Sequence, residues 1–159
     1  MSKEKTLYFT HTINISNLHC RYFIMSTHYE SWYLINADNK NLGRLATRIA
    51  KILIGKNKTT YLPYLNNNNY IVVINAGKIY VSGKKTYKKF YYSYSKKPGK
   101  LKAKSFIILQ RFIPNKIIKL AVKGMLPKNL LGKKLLTNLR IYNTSEHPHS
   151  GQQPTLIEI

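Results

Sequence analysis

The chain has 159 residues and carries 27 Lys and Arg against 5 Asp and Glu, a formal charge of +22. That length suits one domain with one core. So one-sided a charge repels itself in the folded state unless a polyanion partners it, which puts nucleic acid first and an anionic membrane second. A lone cysteine, Cys20, excludes an internal disulfide and any cysteine zinc cluster, and apolar runs as short as "YIVVINA" exclude a bilayer-spanning helix.

Residues 1–31 stand apart. They are polar and aromatic without clear periodicity, and they hold Glu4 and Glu30. An organelle transit peptide would be poorer in acids, so the segment reads as a retained N-terminal extension, with 32–159 as the domain. From Trp32, "WYLINA" predicts a buried strand and "DNKN" a turn. "LGRLATRIAKILIG" then predicts a helix over Leu42–Ile54. Leu42, Leu45, Ile49, Ile52 and Leu53 share its buried side, and Arg44, Arg48 and Lys51 lie opposite within about a 60° arc. Gly55 ends it, with Lys56 and Lys58 just beyond, where the helix dipole favours cations.

Tyr70 to Asn75 reads as a strand for a sheet centre, Lys78 to Ser82 as a short strand between Gly77 and Gly83, and Tyr87 to Tyr94 as a strand interleaving aromatics with Lys88 and Lys89. "SKKPGKLKAKS" reads as a basic Gly/Pro loop. "SFIILQRF" predicts a short helix N-capped by Ser105, and Pro114 opens the next. In that helix Lys116, Lys119 and Lys123 share one face, with Ile117, Ile118 and Ala121 opposite. Gly124 is expected at positive φ as a left-handed helix end, with Met125 and Leu126 turned into the core. A last short helix in "LLGKKLLTNL" precedes strand-like "RIYN". Alternating strands and helices predict a layered α/β domain.

Catalytic chemistry finds little support. Asp38 is the only aspartate, and three of the four glutamates lie in the extension or at the C-terminus, so paired-carboxylate work would need assembly from chain ends. His147 and His149, in "EHPHSGQQ", make an incomplete metal site with only Glu146 beside them. Hydrogen bonding to RNA or to backbone is their expected use. No glycine pattern matches a P-loop or dinucleotide fingerprint, and no cofactor is expected.

The basic residues carry the specific signal. They recur on a helix face (Arg44, Arg48, Lys51, then Lys56 and Lys58) and along a tyrosine-rich stretch (Lys84, Lys85, Lys88, Lys89, Lys96, Lys97, Lys100). They recur again late in the chain (Lys123, Lys128, Lys133, Lys134, Arg140). Such spread suits a protein embedded in folded RNA better than one reading a single groove. Lysine outnumbers arginine, so point-charge contacts to phosphate are expected more than bidentate base reading. One or two of Tyr87, Phe90, Tyr91, Tyr92 and Tyr94 are expected to stack on unpaired bases. A free nucleic-acid regulator would isolate a reading helix with Arg, Asn or Gln aimed at bases. A membrane binder would leave an apolar face exposed opposite its lysines. Neither pattern stands out.

"WYLINADNKNLGRLATRIAKIL", "YIVVINAGKIYVSGKK", "KGMLPKNLLGKKLLTNLRIY" and "EHPHSGQQP" occur in the order of the bacterial-type large-subunit ribosomal protein L13 family, which the chain resembles from Trp32 to Ile159. The resemblance implies a single layered α/β/α domain around a mostly parallel or mixed sheet of about four strands. It implies binding to large-subunit ribosomal RNA beside neighbouring large-subunit ribosomal proteins, a role in assembly and translation, and no enzymatic activity, membrane or small-molecule substrate. By analogy, Met125, Leu126, Leu135 and Leu136 hold a helix-turn-helix against the sheet, while Lys123, Lys128, Lys133 and Lys134 face phosphate. Asn36, Gly77, Asn66–Asn69 and Thr144 depart from the family's usual residues. The extension and the Asn-, Lys- and Ile-rich flavour of an AT-rich genome point to a plastid ribosome, then a mitochondrial one, then a bacterium.

Overall fold

The computed structural model describes residues 30–59, 61–94 and 99–158. The extension expected over 1–31 therefore lies outside the described residues up to residue 29. Strand β1 (Ser31–Asn36) leads through helix α1 (Leu42–Ile54) to β2 (Asn69–Ile74), which pairs parallel with β1 in the register Trp32↔Tyr70 to Ile35↔Val73. A longer excursion follows. It comprises a one-turn helix α2 (Lys85–Lys88), strands β3 (Phe90–Tyr94) and β4 (Leu101–Ser105), and helices α3 (Phe106–Phe112), α4 (Pro114–Met125) and α5 (Leu130–Thr137). Strand β5 (Leu139–Ile141) then pairs parallel with β2, and β6 (Thr155–Leu156) returns to pair parallel with β1, giving a four-stranded sheet ordered β5-β2-β1-β6. The chain folds as the expected single α/β domain on a parallel sheet.

Both β1→β2 and β2→β5 step the same way across the sheet, so right-handed crossovers place α1 and the α4–α5 pair on one face. That face is the main core. Ile35, Ile71, Val73 and Leu139 from the strands meet Leu45, Ile49 and Leu53 of α1, Phe106 and Leu109 of α3, Ile117, Ile118 and Val122 of α4, and Leu135 of α5. Alternation sends Trp32, Tyr70 and the fully buried Val72 to the other face. There Trp32 stacks on Tyr70 with ring centroids 4.6 Å apart. The second layer is thin: the ring of His149, 5.2 Å from Trp32, packs there. Thr155 Oγ1 donates to the Trp32 carbonyl at 3.1 Å and fastens the C-terminal strand beside β1.

Local chemistry explains most element boundaries. Asn41 caps α1 by accepting from the Gly43 amide at 3.2 Å, and Gly55 ends it at φ 83°. Asn36 holds the turn after β1 with its carboxamide oxygen, which accepts from the Asp38 amide at 3.1 Å and from Asn75 Nδ2 at 3.0 Å.

Several expectations change. Lys78 to Ser82 forms no sheet strand; a single bridge joins Tyr80 to Asn41 after a 3-10 turn at Ala76–Lys78, and Gln110 Nε2 fixes the loop through the carbonyls of Gly77 and Ile79. Tyr87 to Tyr94 divides into the end of α2 and β3. Leu101–Ser105, inside the expected loop, is strand β4, antiparallel to β3 in a two-stranded sheet of its own. Its alternation of Leu101 and Ala103 with Lys102 and Lys104 was the available signal, obscured because both faces are wet. Ser105 stands at the N-cap of α3 in extended geometry, but its side chain makes no capping hydrogen bond.

A further change concerns Gly124. The helix α4 continues through it to Met125, φ is not positive there, and the cap is the extended Leu126. Met125 is 43% exposed and Leu126 only 5%. The turn buries Leu126 alone; Met125 instead lies over α1, its sulfur accepting from Thr47 Oγ1 at 3.6 Å.

Candidate nucleic-acid interface

The sequence of α1 separates its two sides. Leu42, Leu45, Ala46, Ile49, Ala50, Ile52 and Leu53 are buried, while Arg44, Arg48 and Lys51 are exposed. The last carbonyls of a helix lack intrahelical partners, and the asparagine run supplies them. Asn69 Nδ2 donates to the Ile52 carbonyl at 2.7 Å and Asn67 Nδ2 to that of Ile54 at 3.2 Å. The side chain of Asn67 occupies the space over Gly55 that a Cβ would need. Lys56 is exposed beyond this cap. Lys58 is half-buried and donates from Nζ to Ser31 Oγ at 3.1 Å, so its ammonium is already tied to β1.

The helix-turn-helix of α4 and α5 has comparable precision. Asn129 caps α5 by accepting from the Gly132 amide at 2.8 Å. Gly132 lets the carbonyl of Pro127 press against the start of α5, where a Cβ would collide with it. Around this joint lies a cleft of about 150 Å³, floored by Leu126, Pro127 and Leu136 and edged by Lys123, Lys128 and Lys133. Lys134 is exposed one turn along α5. Because α1 packs against both α4 and α5, their outer faces adjoin. Arg44, Arg48, Lys51, Lys123, Lys128, Lys133 and Lys134 thus belong to one helical side of the molecule, and the segment that builds its helices contains no acidic residue, since the sequence has none between Asp38 and Glu146.

A second cationic region surrounds α2 and the β3–β4 hairpin. Lys84, Lys85, Lys88, Lys89 and Lys100 are exposed there, and an open depression is lined by Ser82, Gly83, Lys84, Lys85, Lys88 and Lys89. Lys89 Nζ sits 5.3 Å over the ring of Tyr91, whose phenol burial pushes above its ordinary pKa. Lys96 and Lys97 lie outside the described residues. Lys102 and Lys104, exposed on β4, extend this region; reading their segment as a loop hid them.

Arg140, His147 and His149 are not brought to the helical side. Arg140 is exposed on β5 opposite Val72, on the second face of the sheet. His149 Nε2 lies 2.9 Å from the Tyr142 hydroxyl, and its backbone N–H donates to His147 Nδ1 at 3.2 Å. Both half-buried histidines therefore have internal partners that close the aromatic face over Trp32.

The chemistry available is that of fixed, dispersed positive charge. Among the described residues no group of three His, Cys, Asp or Glu could hold a metal ion, and no helix is long and apolar enough to cross a membrane.

Comparison with known proteins places this arrangement. The model of the family described as Ribosomal protein L13 matches residues 30–148. The large ribosomal subunit protein uL13 of Microcystis aeruginosa is 51% identical over 135 residues, covering 85% of this chain and 89% of its own length. That of Acaryochloris marina is 48% identical over 135 residues, with the same coverage. That of Synechococcus elongatus is 47% identical over 129 residues, covering 81% of this chain and 85% of its own.

Proposed function

The chain belongs to the ribosomal protein L13 family, and from that premise we propose that it is a structural, non-enzymatic constituent of the large ribosomal subunit, binding large-subunit ribosomal RNA and supporting subunit assembly and translation. The observation that carries this reading is the acid-free helical side, where α1, α4 and α5 turn arginines and lysines outward from a shared core. Exposed lysines on a rigid surface neutralise phosphates along a folded RNA without reading its bases. We assign phosphate contact to Arg44, Arg48, Lys51, Lys56, Lys123, Lys128, Lys133 and Lys134, and to Lys84, Lys85, Lys88, Lys89, Lys96, Lys97 and Lys100 around the hairpin. Arg140 offers a separate contact from the second face. Lys58, His147 and His149 act chiefly inside the fold. Neighbouring large-subunit proteins complete the environment.

Filter binding of the full chain to large-subunit ribosomal RNA tests this. For about six or more phosphate contacts, affinity falls by orders of magnitude between about 50 and 200 mM salt. A flat response contradicts the assignment. The compartment we infer is a plastid ribosome, with a mitochondrial or bacterial one as the alternatives; identity of about half to cyanobacterial proteins supports a cyanobacterial-type ribosome, and immunoblotting of separated organelles tests the choice.

A further inference from the structure

The β3–β4 hairpin exposes apolar surface for which the fold has no use. Side chains alternate across a strand, and only Tyr91 of β3 turns toward the body, packing against the main core. Its neighbours point away: Phe90 is 49% exposed, Tyr92 62% and Tyr94 84%. The register pairs them with Ser105, Ala103 and Leu101, small or aliphatic residues that leave the rings standing clear. Anchorage through Tyr91, and the hydrogen bond from the Phe106 amide to the Lys89 carbonyl at 2.9 Å, hold the row in place.

Charge selects the occupant. Lys88 and Lys100 border the ends of the row in sequence, while Lys89, Lys102 and Lys104 add positive charge on the Tyr91 side of the same hairpin, with no acidic residue between Asp38 and Glu146. A second copy of this chain, at +22, would be repelled. The complementary partner is an anion that also presents flat apolar faces. Alternate residues of a strand are about 6.6–6.8 Å apart, roughly twice the ~3.4 Å step of stacked bases, so the gap between neighbouring rings fits one base. We propose that Phe90, Tyr92 and Tyr94 form a stacking platform for unpaired nucleobases of single-stranded RNA, with the flanking lysines holding the phosphates. This rests on the RNA-binding reading above and adds a second mode to it, one that depends on aromatic contact as well as on charge.

The test titrates the full-length protein with a single-stranded oligoadenylate carrying one 2-aminopurine, and with an RNA duplex of equal length. Binding of the single strand should quench the 2-aminopurine. Tyr92→Ala with Tyr94→Ala should abolish the quench and weaken single-strand binding by roughly 5- to 100-fold per ring, leaving duplex affinity within about twofold. Tyr92→Phe with Tyr94→Phe, which keeps both rings, should restore both signals. Should the double alanine variant melt early, Tyr94→Ala alone carries the test. If the wild-type protein binds neither RNA, the RNA-binding reading itself fails. If it binds both, and the alanine variants change neither affinity or both equally, the platform is overturned while the phosphate contacts stand. Unchanged RNA binding with lost association of another large-subunit protein would likewise overturn it, marking the row as a protein-docking surface.

Discussion

Gly132 sits where the Pro127 carbonyl crowds the start of α5, and the methyl group of an alanine would have to displace backbone. Gly124, eight positions earlier in the same basic stretch, is helical, exposed and has nothing near the place of its Cβ. The two glycines therefore respond oppositely to alanine. Gly132→Ala should cost about 1–3 kcal/mol, as overpacking does. Gly124→Ala should gain roughly 0.5–1 kcal/mol, because glycine inside a helix is destabilising relative to alanine. Urea melts of the two variants check both signs, and a destabilised Gly124→Ala would mean that α4 ends before it. The sequence shows two glycines bracketing Pro127, a pattern as compatible with a helix end as with a close approach. Which glycine did which was a matter of tertiary contact, so the positive φ expected at Gly124 does not appear. Asn67 and Asn69 were equally opaque. Their run looked like genomic bias, yet their carboxamides satisfy the last carbonyls of α1.

Elements whose two sides meet different environments were the legible ones. Helix α1 announced itself, its C-terminal glycine and both its faces, because burial on one side and solvent on the other impose a 3.6-residue period. It gives a paired prediction. Arg44→Ala with Arg48→Ala should shift stability by less than about half a kcal/mol yet reduce incorporation into large subunits. Ile49→Ala should cost roughly 2–5 kcal/mol. Thermal melts beside subunit incorporation separate the two, and an unfolded double arginine variant would mean that this face also supports the fold. The strands β1 and β2 were legible as apolar runs between turn residues. The β3–β4 hairpin was not. Both of its faces carry lysine or tyrosine, it adds little to the core, and its pairing is with itself, so no burial pattern marks its register. The same division holds for the basic residues: periodicity put Arg44, Arg48 and Lys51 on the exposed side of α1, where they lie, whereas Lys102 and Lys104 were lost with their strand.

For the molecule as a whole, a charge of +22 on 159 residues is the property that everything else accommodates. One core under one face of a parallel sheet holds the helices whose outer sides carry part of that charge, and an aromatic face closed by His149 and Tyr142 fixes the C-terminal segment. The histidines, expected to hydrogen-bond either RNA or backbone, have internal partners: His149 meets the Tyr142 hydroxyl and His147 accepts from the His149 backbone amide. The central claim is that this surface makes the chain a resident of the large subunit through ionic contacts to its RNA. Sedimentation of native lysate through sucrose gradients tests it most directly. The protein should migrate with large subunits at low salt and be progressively released in molar salt. Recovery in the free-protein fractions at every salt concentration would contradict it.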